Sequence, residues 1–383
     1  MSKSEKIKTD IVIGTRPEAI KMAPVIQELK SRGCFSVRVI ATGQHTDMLT
    51  QALAFFDLRT DIDLRIMKER QSLDYITSAV LQGVGQVFDE DEPDAVLVHG
   101  DTTTTMASAL AAFYRQIPVG HVEAGLRSFN MNQPFPEEMN RVVTDKIATW
   151  WFAPTQLAKD NLVANGVADD NIFITGNTVV DALYQTLKRN ISPTDAAMAP
   201  LMSGRQFILL TAHRRESWGK QLENICRAVL RIVEIHDVHV LVPMHRNPAV
   251  RETISRLLGG NDRIILCDPL GYSDFVWALG HSTVILSDSG GVQEEASALA
   301  KPVIILRDVT ERPEAIENGS GILAGTDENR IFEETDNLLS RKEAYAAIQK
   351  KCASAPFGDG KASIRIANIL GDELSARPKN RRD

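Results

Sequence analysis

From Ala95 to Glu123 the chain reads AVLVHGDTTTTMASALAAFYRQIPVGHVE. A short apolar run, Ala95–Val98, gives way to Gly100-Asp101-Thr102. A helical stretch, Thr105–Arg115, and a second apolar run, Val119–Val122, follow. Apolar runs of this length suit strands buried on both faces, and the intervening helices point to a parallel sheet covered from either side. The alternation recurs outward in both directions. Strands are predicted at Asp10–Ile13 and Val37–Thr42 on one side and at Trp151–Ala153 and Ile172–Ile174 on the other. A second series comprises Phe207–Leu210, Val238–Val242, Ile264–Leu266, Val284–Leu286, Val303–Leu306 and Ile322–Leu323, with helices such as Pro17–Ser31 and Gln221–Ile235 between runs. The stretch Leu183–Gln206 holds Ser192-Pro193, Ala199-Pro200 and Ser203-Gly204, a linker composition. The expectation is an α/β chain of two doubly wound domains, which 383 residues accommodate.

Composition narrows the function classes. Hydrophobic residues at 43% and charged residues at 24% are ordinary for a globular chain and exclude wholesale disorder. Lys+Arg number 43 against 50 Asp+Glu, a net charge of -7, with no dense basic block before the last few residues. Nucleic acid is therefore not an expected partner. The cysteines, Cys34, Cys226, Cys267 and Cys352, lie far apart and form no CxxC pair, which excludes a zinc ribbon or dithiol redox centre. The run Ile11-Val12-Ile13 is too short for a signal-peptide core, and no apolar run reaches the ~18–20 residues of a membrane span. A reduced, cytoplasmic protein with no membrane partner is expected.

In open α/β sheets ligands sit beyond the carboxyl ends of the strands. Asp101 follows one predicted strand and Glu123 the next, and Glu137 opens a helix after Pro134-Phe135-Pro136. Taken singly, Asp101 reads equally as a helix N-cap and Glu137 as a first-turn acid favoured by the helix dipole. Together on one sheet edge, three acids suit general acid and base chemistry, if burial or mutual repulsion raises some of their pKa values. In the second half, His213 follows a strand in Thr211-Ala212-His213-Arg214-Arg215, where it faces either solvent or an anion. Ser287-Asp288-Ser289-Gly290-Gly291 reads as strand, small-residue turn and helix start, a phosphate cradle of backbone N–H groups. It lacks the lysine of a GxxxxGK[ST] loop, so an ATPase is disfavoured. Glu295, one turn into that helix, is either a solvated acid or an acceptor for ribose hydroxyls. Arg312, in Arg307–Glu314, offers charge for a diphosphate. At the other end, Gly14-Thr15-Arg16-Pro17-Glu18 is a strand-to-helix turn with proline suited to the first turn. Arg16 stands at the sheet edge, and Lys21 either adds charge or faces solvent. No GxGxxG, HExxH, DxD or His/Cys cluster is present, so neither a nicotinamide or flavin cofactor nor a metal is expected.

Read in order, these segments resemble the non-hydrolysing UDP-N-acetylglucosamine 2-epimerases. The resemblance rests on GTRPEAIKMAPVI (Gly14–Ile26), TGQH (Thr42–His45), HGDTTTT (His99–Thr105), GHVEAGLRS (Gly120–Ser128) and PFPEEMNR (Pro134–Arg141). It continues through GNTVVDAL (Gly176–Leu183), HRRESWG (His213–Gly219), SDSGGVQEEA (Ser287–Ala296) and ERPEA (Glu311–Ala315). It implies a GT-B fold: Rossmann-like doubly wound domains at 1–180 and 181–361, with an interdomain active-site cleft. It also implies a last helix, 362–375, packing back on the first domain, and a flexible tail, 376–383. The implied activity is a cofactor-free isomerase interconverting UDP-GlcNAc and UDP-ManNAc, usually as a homodimer, with UDP-GlcNAc as activator at a second site in bacterial members.

By the same resemblance, Asp101, Glu123, Glu137 and His213 carry the chemistry. Arg16, Lys21, Phe275, Ser289, Gly290, Gly291, Glu295 and Arg312 bind substrate. Gln44, Arg70, Gln71, Glu137, Arg214 and His245 serve the regulatory site. Leu270 stands where some relatives carry a polar residue near the uracil. The chemistry explains the demand for acids and cations. The C2 proton of UDP-GlcNAc has no neighbouring carbonyl, so it becomes acidic only once C1 turns oxocarbenium-like through departure of UDP. Competing readings are a C2-epimerase of a UDP-2,3-diacetamido uronic acid, a hydrolysing relative, a GT-B glycosyltransferase, and a non-catalytic nucleotide-sugar sensor.

Overall fold

The structure, a computed structural model, describes residues 6–43, 46–68, 71–212, 214 and 218–376. The chain divides into two compact units, Met1–Ala182 with Gly358–Asp383, and Leu183–Phe357. Both are built on all-parallel sheets.

In the first unit the strands are β1 (Ile7–Ile13), β2 (Phe35–Ala41), β3 (Ile62–Asp63), β4 (Ala95–His99), β5 (Val119–Val122), β6 (Trp150–Ala153) and β7 (Ile172–Ile174). They lie in the order β3-β2-β1-β4-β5-β6-β7. Strand order reverses between β1 and β4, the topological switch point at which ligands of doubly wound sheets bind. Two features depart from the sequence expectation. β3 was not anticipated, because two residues paired on β2 (Ile40 opposite Ile62) leave no apolar run to read. β1 starts at Ile7 rather than Asp10, since Lys8 and Thr9 join the ladder opposite Ser36 and Val37 despite their polarity. Asp10, nearly fully buried, is held by its cross-strand neighbour Arg38 through two bonds of 2.9 and 2.7 Å.

The second unit repeats the plan. Its strands are β8 (Phe207–Thr211), β9 (His239–Pro243), β10 (Ile264–Cys267), β11 (Val284–Ser287), β12 (Val303–Ile305) and β13 (Gly321–Leu323), ordered β10-β9-β8-β11-β12-β13. Strand periodicity splits the core cleanly. Ile208 and Leu210 face one apolar cluster with Leu222, Ile225 and Val229 of the helix Lys220–Ile235. Phe207 and Leu209 face the opposite cluster with Ala278 and Leu279. Two Rossmann-like doubly wound domains, the fold class expected of a GT-B chain, are thus observed.

The helix Ala362–Ala376 packs on the helix Arg16–Ser31 of the first unit. Asp181 anchors its start: the carboxylate accepts from Ala362 N (3.1 Å), Ser363 N (2.8 Å) and Ser363 Oγ (2.6 Å). These bonds satisfy N–H groups that a helix start otherwise leaves open.

Candidate active site

At the switch point of the first unit two helix starts converge. Gly14, after β1, must be glycine: a Cβ there would lie 2.3 Å from Thr104 Oγ1 and 2.9 Å from Thr42 Oγ1. Close behind it, buried Glu18 accepts from Gly14 N (3.0 Å) and Thr15 N (2.6 Å) at one helix start. It also accepts from Thr102 Oγ1 (2.8 Å) and Thr105 Oγ1 (3.1 Å) at the other. A single carboxylate therefore ties the loops after β1 and β4 together. Sequence reasoning placed Glu18 in a turn but missed this role, because its partners lie 84 and 87 residues away.

The helix Thr103–Tyr114 is capped by Thr102, whose hydroxyl accepts from Thr105 N at 3.1 Å. The alternative reading of Asp101 as the cap is thereby overturned. Relieved of capping, the Asp101 carboxylate meets Arg141 Nη2 at 2.5 Å, while Asn140 Nδ2 donates to its carbonyl at 2.9 Å. Both partners belong to the helix Glu137–Ile147, which Glu137 opens. Glu138 beside it is buried and occupied, accepting from Ser128 N and Phe129 N at 3.0 Å each. Glu137 is only partly buried.

Glu123 directly follows β5, whose Val122 stands opposite His99 of β4. Its backbone is left-handed, with φ 66°, a conformation costing a non-glycine residue about 1–2 kcal/mol. Its buried carboxylate lies 2.5 Å from Lys21 Nζ and 2.9 Å from His99 Nε2. Lys21 is thus an internal partner of Glu123 rather than a solvent-facing charge. Asp101 and Glu123 sit at neighbouring strand ends, and Arg16, partly buried, opens the adjacent helix.

In the second unit Thr211 Oγ1 and Ser287 Oγ, 2.7 Å apart, join the ends of β8 and β11 at the switch point. His213 lies outside the described residues, as do Gln44 and Arg70. Arg214 N donates to the fully buried Asp288 at 2.9 Å. Ser289 stands at the N-cap of the helix Gly290–Ala298, its own N–H bonded to Ser287 Oγ at 3.0 Å. A Cβ on Gly290 would lie 2.8 Å from Arg312 Nη1, so glycine lets that guanidinium pass beneath the turn. Arg312, expected to offer charge to a diphosphate, is buried beside two carboxylates, with Glu294 at 2.8 Å and Glu311 at 3.7 Å. Glu311 also pairs with Arg307 at 2.7 Å and lies 3.9 Å from Arg214 Nη1. Burial pushes the Glu311 carboxyl up, but Arg307, Arg312 and Arg214 outweigh it and hold the pKa at about 2.

Glu295 is buried, which overturns its reading as a solvated helix acid. Phe275 is partly buried in the helix Tyr272–His281, packed on an apolar cluster that includes Leu270. A leucine at 270 thus completes that cluster. His245 is exposed beyond β9 and accepts from Asn247 N at 3.2 Å; Gln71 is partly buried. Among the described residues no group of three His, Cys, Asp or Glu has metal-binding geometry, and no helix is long and apolar enough to cross a membrane.

Similarity to known proteins agrees with this arrangement. The family model described as UDP-N-acetylglucosamine 2-epimerase matches residues 27–371. The UDP-N-acetylglucosamine 2-epimerase of Escherichia coli (strain K12) is 47% identical over 372 residues, 95% of this chain and 98% of that protein. Its namesake from Bacillus subtilis (strain 168) is 50% identical over 367 residues, 96% and 95% of the two chains. The crystal structure of UDP-GlcNAc 2-epimerase from Neisseria meningitidis bound to UDP-GlcNAc is 43% identical, with a TM-score of 0.89 over 96% of this chain and 100% of that one. With residues 27–371 matched by the family model and at least 95% of the chain aligned to these relatives, the chain belongs to the UDP-N-acetylglucosamine 2-epimerase family.

Proposed function

We propose that this protein is a non-hydrolysing UDP-N-acetylglucosamine 2-epimerase (EC 5.1.3.14) that interconverts UDP-GlcNAc and UDP-ManNAc. The observation that carries the reading is identity of 47–50% to curated epimerases over nearly the whole chain. In the proposed reaction a carboxylate takes the C2 proton while the C1–O bond breaks, its electron pair leaving with the β-phosphate of UDP. The products are UDP and 2-acetamidoglucal. UDP then re-adds at C1 and a proton returns to C2 on the opposite face, so atoms and electrons balance without a redox partner.

Asp101, Glu123 and Glu137 supply the proton transfers and stabilise positive charge at C1. Glu123 suits that task because Lys21 fixes its carboxylate, with His99 Nε2 2.9 Å away. Protonated His213 neutralises the departing phosphate. Ser289, Gly290 and Gly291 hold the diphosphate through hydroxyl and backbone N–H groups at a helix start. Arg16, Lys21 and Arg312 supply positive charge, Glu295 binds ribose, and Phe275 lines the uracil. Gln44, Arg70, Gln71, Glu137, Arg214 and His245 form the second nucleotide site, through which UDP-GlcNAc activates. The protein acts in the cytoplasm as a homodimer.

The test is incubation with UDP-GlcNAc alone in D₂O, followed by NMR. Deuterium at C2 of intact UDP-ManNAc is the expected result. Release of free sugar would mean a hydrolase, and absence of exchange would remove the epimerase reading altogether.

A further inference from the structure

A buried ionic group lies behind the Asp101 turn without touching any residue assigned above to substrate. His121, on β5, is fully buried. Its Nδ1 lies 2.7 Å from Asp145 Oδ1, and its Nε2 lies 2.8 Å from the Gly100 carbonyl. A carbonyl only accepts, and Asp145 is an anion: burial raises its carboxyl, but His121 and Arg127 outweigh that and hold it below the usual carboxylate range. Arg127 Nη2 stands 2.7 Å from Asp145, with both side chains buried. Hydrogen-bond accounting then requires both ring nitrogens of His121 to donate. His99 and Glu123, the other ionisable side chains at these strand ends, contact each other.

The position of Asp145 makes a purely local role insufficient. It sits in the last turn of the helix Glu137–Ile147, where the dipole disfavours an acid. That same helix grips the Asp101 turn at its other end through Asn140 and Arg141. Gly100, with φ +70°, is the pivot of the turn, and only its carbonyl and its N–H, bonded to Val122 O at 2.9 Å, fix it. We infer that His121 is a positioning residue for the reaction: it bridges Asp145 to the Gly100 carbonyl and so sets the direction of the Asp101 carboxylate relative to the helix that carries Glu137. The inference rests on the reading of Asp101 as a reacting group.

Wild-type exchange at C2 in D₂O decides that reading first. His121→Gln is then compared with wild type below both melting temperatures, with hydrogen-exchange protection of the first unit's strand amides counting the molecules in which that unit is folded. Gln reaches only one of the two acceptors, so kcat per folded molecule falls ~10–10²-fold while KM holds, as expected when a reacting group is misdirected. A merely structural residue would lower the melting temperature and leave kcat per folded molecule unchanged, which overturns the inference. Independently of turnover or of the variant's folding, ¹⁵N–¹H spectra of the wild-type ring show an Nε2 proton hydrogen-bonded to the Gly100 carbonyl. A ring whose Nε2 carries no such bond overturns it equally.

Discussion

The Glu311 carboxylate offers a prediction whose size follows from the structure. Its pKa is about 2 against an ordinary 4.5, and the group is buried among Arg307, Arg312 and Arg214. A depression of about 2.5 units at 1.36 kcal/mol per unit is about 3 kcal/mol of stability from ionised Glu311 at pH 7. The sign follows from the direction of the shift. A depressed folded pKa contributes stability that is complete above 4.5 and is lost as pH falls through about 2. By linkage the contribution shrinks to about 1.4 kcal/mol at pH 3. Glu311→Gln mimics the protonated form at every pH, so the variant should lose about 3 kcal/mol at pH 7, with the gap to wild type narrowing on acidification. Urea titrations followed by tryptophan fluorescence, to which Trp218 and Trp277 contribute from the second unit and Trp150 and Trp151 from the first, give the difference at each pH. A gap below about 1 kcal/mol at pH 7, or one that widens toward pH 3, would show that the arginines do not act on this carboxylate as described.

Asp101→Asn keeps the bond to Arg141 but removes a proton acceptor, and turnover of UDP-GlcNAc should drop ~10²–10⁴-fold; a coupled epimerisation assay reads this directly. Gly14→Ala forces a methyl to 2.3 Å from Thr104 Oγ1, and a loss of about 1–3 kcal/mol in thermal or urea unfolding is expected. Gly290→Ala meets Arg312 at 2.8 Å, so UDP affinity measured by calorimetry should weaken about tenfold or more, whereas unaltered affinity would detach this turn from the phosphate. Asp181→Ala deprives the helix Ala362–Ala376 of three hydrogen bonds, and limited proteolysis should release that segment at lower protease concentrations than in wild type.

The two sheets were legible because their strands are nearly continuous apolar runs bounded by glycine, proline and short polar residues, a local signal. β3 was not, since Ile62–Asp63 is held by pairing with β2 alone. The placement of Asp101, Glu123 and Ser289 at strand ends followed from those runs. Their partners did not, because the pairs Arg141–Asp101 and Lys21–Glu123 span 40 and 102 residues and exist only once the sheet is assembled. Arg312 shows the converse limit. A cation in a strand-end motif reads as a ligand group, and its burial against Glu294 and Glu311 depends on pairings that the motif does not display.

Because the first unit takes in Gly358–Asp383, it is discontinuous, with the whole of Leu183–Phe357 intervening in the chain. During synthesis the ribosome must finish the second unit before the segment that completes the first has even emerged. Asp181 is then made long before the amides of Ala362 and Ser363 arrive to receive it. Vectorial folding here cannot proceed strictly from front to back: the earlier-made half waits, unfinished, for residues translated after the whole of the second unit.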